Sequence, residues 1–122
     1  MGGGKRIEKA VRDRAAGLCE YCRLPESLSK LDFALDHVRA RQHGGRTRTA
    51  NLAFACGFCN RHKGPNVAGV DPKTGRLTAL FNPRTQQWAD HFKWLGPRIL
   101  GLTSVGRADD RQGTRDESSG SN

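Results

Sequence analysis

Cys56-Gly57-Phe58-Cys59-Asn60-Arg61-His62-Lys63-Gly64 opens with two thiols separated by two residues and runs straight into an amide and three basic side chains. Thiolates at that separation in a turn can hold one ion from the same side. An earlier pair, in Cys19-Glu20-Tyr21-Cys22, repeats the spacing, with 33 residues between the two pairs. Together the four sulfurs of Cys19, Cys22, Cys56 and Cys59 fill a tetrahedral site and leave no open position. That is the pattern of a structural zinc, not a catalytic one. Free thiols or a redox C-x-x-C are the competing readings, and the second pair argues against both; an iron–sulfur cluster is a further alternative.

The rest of the composition explains why such a staple is needed. A chain of 122 residues predicts one domain, and only 35% of it is hydrophobic. Small domains bury a modest share of their surface, so a weak core calls for a disulfide or a metal. The N-terminus, Met-Gly-Gly-Gly-Lys-Arg, leads into a charged amphipathic segment without the apolar stretch of a signal peptide, and no run suits a membrane span. The expected location is therefore the cytoplasm, where paired cysteines hold metal more often than they form disulfides.

Lys and Arg number 21 against 12 Asp and Glu, a net charge of +9, which favours a polyanionic partner over simple solubility. Arg39, Arg41, Arg46, Arg48, Arg61 and Lys63 fall between His37 and Gly64, a stretch with no acidic residue. Hydrophobic periodicity predicts a helix over residues 5–18 carrying Ile7, Val11, Ala15 and Leu18, then strands over 33–38 and 52–55. An exposed Gly-, Arg- and Thr-rich loop spans 42–49, and a short helix ending at Gly64-Pro65 follows the second thiol pair. Further strands are expected over 77–81 and 98–102, with Trp88, Phe92 and Trp94 on a core-facing segment; stacking of Trp88 or Trp94 on bases is the alternative. Residues 1–4 and the polar tail 109–122 read as disordered, which leaves a domain over 5–108.

Asp36-His37 closes the first strand just before the basic loop. The carboxylate is a hard oxygen ligand suited to Mg²⁺ or a similar ion. The imidazole can take a proton from water near neutral pH. An isolated Asp-His pair is commonly structural. Two asparagines change that reading: Asn51 lies 14 residues past His37, and Asn60 a further 9 on, directly after Cys59.

The combination Leu35-Asp36-His37-Val38, Gly44-Gly45, Asn51-Leu52 and Cys56-x-x-Cys59-Asn60-Arg61-His62-Lys63-Gly64 resembles the HNH endonucleases, in their zinc-bearing branch. The core motif covers residues 19–65. Leu80-Phe81-Asn82-Pro83-Arg84, Trp88-Ala89-Asp90-His91-Phe92 and Gly101-Leu102-Thr103-x-x-Gly106-Arg107-Ala108 resemble the C-terminal half of a bacterial subgroup. In that subgroup an apolar helix is expected after Gly-Arg-Ala, where this chain turns polar.

The resemblance implies an α+β domain of the ββα-metal (His-Me finger) type that hydrolyses DNA and leaves a 5′-phosphate. Asp36 and Asn60 would hold one catalytic ion, His37 would be the general base, and Asn51 would hold the loop and orient His37. Asparagine at the last ligand position suits Mg²⁺ or Mn²⁺ over a catalytic zinc. His62 is the alternative ligand; it lies two residues from Asn60, a spacing at which helix side chains diverge. His43 is expected at the solvent or DNA face and His91 in the packing. Arg39, Arg41, Arg61 and Lys63 would contact DNA phosphates, which positions the strand without reading sequence. A zinc-dependent nucleic-acid-binding module without catalysis is the second reading, and a zinc-stabilised protein-interaction domain the third. Oligomeric state is not legible.

Overall fold

The glycine-rich N-terminus is helical from Gly2 onward: α1 runs Gly2–Ala15, longer at its start than the sequence suggested. Its end comes early because Ala16 and Gly17 adopt left-handed φ values of 56° and 76°, a common way for the chain to leave a helix. Leu18, expected on the last turn, instead bridges to Pro25. The computed structural model describes residues 2–63 and 66–109. Their contacts group into two units, Met1–Pro65 and Asn66–Asn122.

In the first unit, β1 (Ala34–His37) pairs antiparallel with β2 (Leu52–Ala55), placing Asp36 opposite Ala53 and His37 opposite Leu52. The buried residues Val11 and Ala15 of α1 pack with Leu52 and Phe54 of β2, and Ile7, Phe33 and Leu35 cover the edges. Arg14 fixes the same contact through polar bonds, donating to the carbonyls of Thr49 at 3.0 Å and Leu52 at 2.7 Å. Glu20 closes the free edge of β2: its backbone N–H donates to Phe54 O and its carboxylate accepts from Phe54 N, both at 2.8 Å. An edge strand covered in this way offers no template for mispairing. Helix α2 (Gly57–Lys63) follows β2 directly; the Gly64-Pro65 stop predicted for it lies outside the described residues.

The second unit is built from two hairpins and two short helices. Strands β3 (Ala68–Val70) and β4 (Leu77–Ala79) pair antiparallel, as do β5 (Phe92–Leu95) and β6 (Arg98–Gly101). Helix α3 (Trp88–His91) runs straight into β5, and α4 (Ser104–Ala108) starts at Thr103, whose hydroxyl accepts from Gly106 N at 3.1 Å. Phe81, Trp88, Phe92 and Ile99 are buried, with the Trp88 and Phe92 rings stacked at 5.5 Å. Core packing, not base stacking, is thus the place of Trp88. His91 is packed as expected, its ring 5.9 Å from Phe81 and its Nδ1 2.6 Å from Thr103 Oγ1.

Asp71 anchors this unit. It is fully buried and meets Arg107 in a two-pronged bond, both contacts at 3.0 Å, while Lys73 N donates to its Oδ1 at 2.9 Å. The Arg107 guanidinium holds the Asp71 carboxyl well below the usual carboxylate range. Gly106 is required by close approach: a Cβ there would sit 2.1 Å from His91 O. Asp109, the first residue of the stretch read as a disordered tail, is buried, and its N–H closes α4 on Val105 O at 3.1 Å. Residues 110–122 lie outside the described part.

Candidate active site

All four cysteines are fully buried, and their sulfurs lie within 4.8 Å of one another. A regular tetrahedron of zinc–sulfur bonds of about 2.3 Å has edges of about 3.8 Å, and the Cys22 and Cys56 sulfurs are 3.8 Å apart. Backbone amides support the sulfurs: Tyr21 N donates to Cys19 Sγ and Cys59 N to Cys56 Sγ, both at 3.4 Å. The donor set fits a structural zinc, with no position left for substrate.

The staple joins the turn before β1 to the start of α2 and so fixes what lies between. Asp36, His37 and Asn60 line one open cavity of about 320 Å³, together with Leu35, Ala40, Arg41 and Gln42. The carboxylate, imidazole and carboxamide singled out in the sequence are therefore neighbours. A carboxylate and an amide oxygen make a hard donor set that suits Mg²⁺ or Mn²⁺. His62 is exposed on α2 and is not among the residues lining that cavity.

Asn51 holds the loop that returns from β1 to β2. Its Oδ1 accepts from Arg39 N at 2.9 Å, and its Nδ2 donates to the carbonyls of Arg39 at 3.0 Å and Arg46 at 2.9 Å. Its backbone carbonyl accepts from Val38 N at 2.8 Å, next to His37. Asn51 thus acts on the main chain around His37, while the imidazole itself meets Thr47, with 2.8 Å between Nε2 and Oγ1. Gly45 lets the loop close, since a Cβ there would overlap Arg39 O at 1.7 Å.

Arg39, Arg41 and Arg61 are exposed, as is His43, whose carbonyl accepts from Arg39 Nε at 2.6 Å. Lys63, expected at DNA phosphates, is placed differently from these residues. It is 3% exposed, its Nζ lies 3.3 Å from Asp36 Oδ2, and it donates to His37 O at 3.2 Å. Positions three apart on a helix share a face, so α2 turns Asn60 and Lys63 together towards the end of β1. The sequence reading also missed Tyr21, whose hydroxyl donates to Asp36 Oδ2 at 2.5 Å, and Thr47. Their partners are 15 and 10 residues away, and no local spacing announces either bond.

Two strands, a helix, a hard-donor cavity and a buried four-sulfur cluster are the parts of the ββα-metal fold. Residues 19–66 match the family model described as HNH endonuclease. Domains of this family are generally nucleases and typically bind DNA. No curated protein and no solved structure matches the chain. Among the described residues no helix is long and apolar enough to cross a membrane.

Proposed function

We infer that this chain is a metal-dependent endonuclease that hydrolyses DNA phosphodiester bonds and leaves a 5′-phosphate. One observation carries the reading: Asp36, His37 and Asn60, drawn from a strand end and a separate helix, line the same cavity. A module that only bound nucleic acid would gain nothing from a carboxylate beside the phosphates it must attract.

Asp36 and Asn60 would hold Mg²⁺ or Mn²⁺ through their side-chain oxygens. Such an ion supplies charge stabilisation at the scissile phosphate and at the leaving 3′-oxygen. His37 takes the proton from water. We assign Nε2–H as donor to Thr47 Oγ1, which leaves the Nδ1 lone pair as the base, because the bond made by one ring nitrogen fixes the role of the other. Asn51 keeps the loop, and with it the His37 main chain, in one conformation. Arg41 lines the cavity itself, and the exposed Arg39 and Arg61 extend the positive surface for phosphates on either side of the cut. Four thiolate ligands suit a reducing compartment, so we place the protein in the cytoplasm.

The test is incubation of zinc-loaded protein with supercoiled plasmid, with and without added Mg²⁺ or Mn²⁺. Nicking that requires the added ion is the expected result. Binding without cleavage under any divalent ion would replace this reading with the zinc-dependent binding module.

A further inference from the structure

The Asp36 carboxylate is engaged by two buried donors, and both reach the same oxygen. The Tyr21 hydroxyl donates to Oδ2 at 2.5 Å, and Lys63 Nζ lies 3.3 Å from Oδ2. Tyr21 is 1% exposed and Lys63 3%, so water competes with neither contact. The ammonium also accepts no freedom of its own, because it donates to the His37 carbonyl at 3.2 Å and ties α2 to the strand end. A carboxylate has about four lone-pair sites on its two oxygens. Here Oδ2 is occupied from the protein side, and the residue still lines the cavity shared with His37 and Asn60.

Resting on the reading of that cavity as a divalent-metal site, we propose that Tyr21 and Lys63 are positioning residues that restrict Asp36 to one-oxygen ligation through Oδ1, and thereby select a small ion over Ca²⁺. The chemistry of the two ions gives the device its consequence. Mg²⁺-sized ions demand near-octahedral geometry with short bonds, which a single fixed oxygen serves well. Ca²⁺ is larger, takes more ligands and readily uses both oxygens of a carboxylate. With Oδ2 held by a hydroxyl and an ammonium, the two-oxygen mode is closed. Groups that hold metal ligands in place are commonly worth about 10- to 100-fold in metal affinity. The Lys63 charge repels any dication, but it does so for both ions alike, so it drops out of their ratio.

The experiment is a titration of zinc-loaded protein with Mn²⁺, following free Mn²⁺ by electron paramagnetic resonance, with Ca²⁺ measured by competition. Asp36→Ala identifies the site. Tyr21→Phe removes one hydroxyl and keeps the buried ring, and zinc stoichiometry reports whether the fold survives. The Mn²⁺-to-Ca²⁺ affinity ratio is expected to fall at least about tenfold in Tyr21→Phe. Lys63→Met is read in the same way, and it decides the matter if Tyr21→Phe does not retain zinc. A ratio within about twofold of wild type in the folded variant overturns the proposal, whatever happens to the absolute affinities. If wild-type protein binds no Mn²⁺ that Asp36→Ala abolishes, the metal-site reading itself falls, which is a separate failure.

Discussion

In the first unit the largest fully buried side chains are Val11, Leu52, Phe54, Tyr21 and the four cysteines, and the charged groups Glu20, Asp36 and Lys63 are also buried. In the second unit Phe81, Trp88, Phe92 and Ile99 are buried, with an ion pair between the buried Asp71 and Arg107 and no cysteine. The first unit carries the candidate active site, and its interior is polar for that reason: Asp36 and Lys63 sit where aliphatic side chains would otherwise add hydrophobic stability. Burying charges is costly even when they are paired, so a region arranged for chemistry needs support beyond apolar packing. Four sulfurs around an ion supply it. The second unit carries no candidate active site and is held by aromatic packing together with the Asp71–Arg107 pair.

The comparison breaks most visibly under zinc removal. Structural zinc contributes about 10–16 kcal/mol of apparent folding energy in small domains. Chelation at neutral pH should therefore collapse the amide dispersion of residues in the first unit, while the signals of residues 66–109 stay dispersed. Loss of both sets together would mean that the two units fold as one. The converse substitution is Phe92→Ala, which removes a fully buried ring and should cost about 3–5 kcal/mol. Its melting transition should fall for the second unit with zinc content unchanged; a loss of zinc would tie the aromatic interior to the staple.

Acid gives a smaller separation. The Asp71 carboxyl is held below its ordinary value by Arg107, so its contribution is fully present above the unfolded carboxylate value of about 3.9. That contribution is lost as pH falls below this value towards the lower folded one. Unfolding of the second unit followed by tryptophan fluorescence should show falling stability in that window. Arg107→Met starts less stable and should show no further acid loss there. An identical acid slope in both proteins would put the sensitivity elsewhere.

Much of the first unit was legible because its informative residues sit next to one another in the chain. Two C-x-x-C pairs announce a staple, Asp36-His37 is a dipeptide, and Asn60 follows Cys59, so local spacing was enough to gather them. β2 fell where its apolar run predicted, over Leu52–Ala55. What escaped was set by tertiary pairing. Lys63 reads as one more member of a basic run, and only the packing of α2 against β1 sends its ammonium inward, 26 residues from the His37 carbonyl it holds. Tyr21, between two cysteines, looks like filler for a turn. In the second unit, β3 is three residues, Ala68–Val70, too short to show alternation, and α3 is a single turn before a strand. Asp71 reads as a turn residue, which it is, but its burial depends on Arg107, 36 positions away.

The most direct test of the whole account is plasmid nicking by His37→Ala in the presence of Mn²⁺, on protein shown to retain its zinc and its affinity for DNA. The account predicts that nicking disappears while binding remains, because the imidazole would take the proton from water. Nicking at the wild-type rate would contradict it.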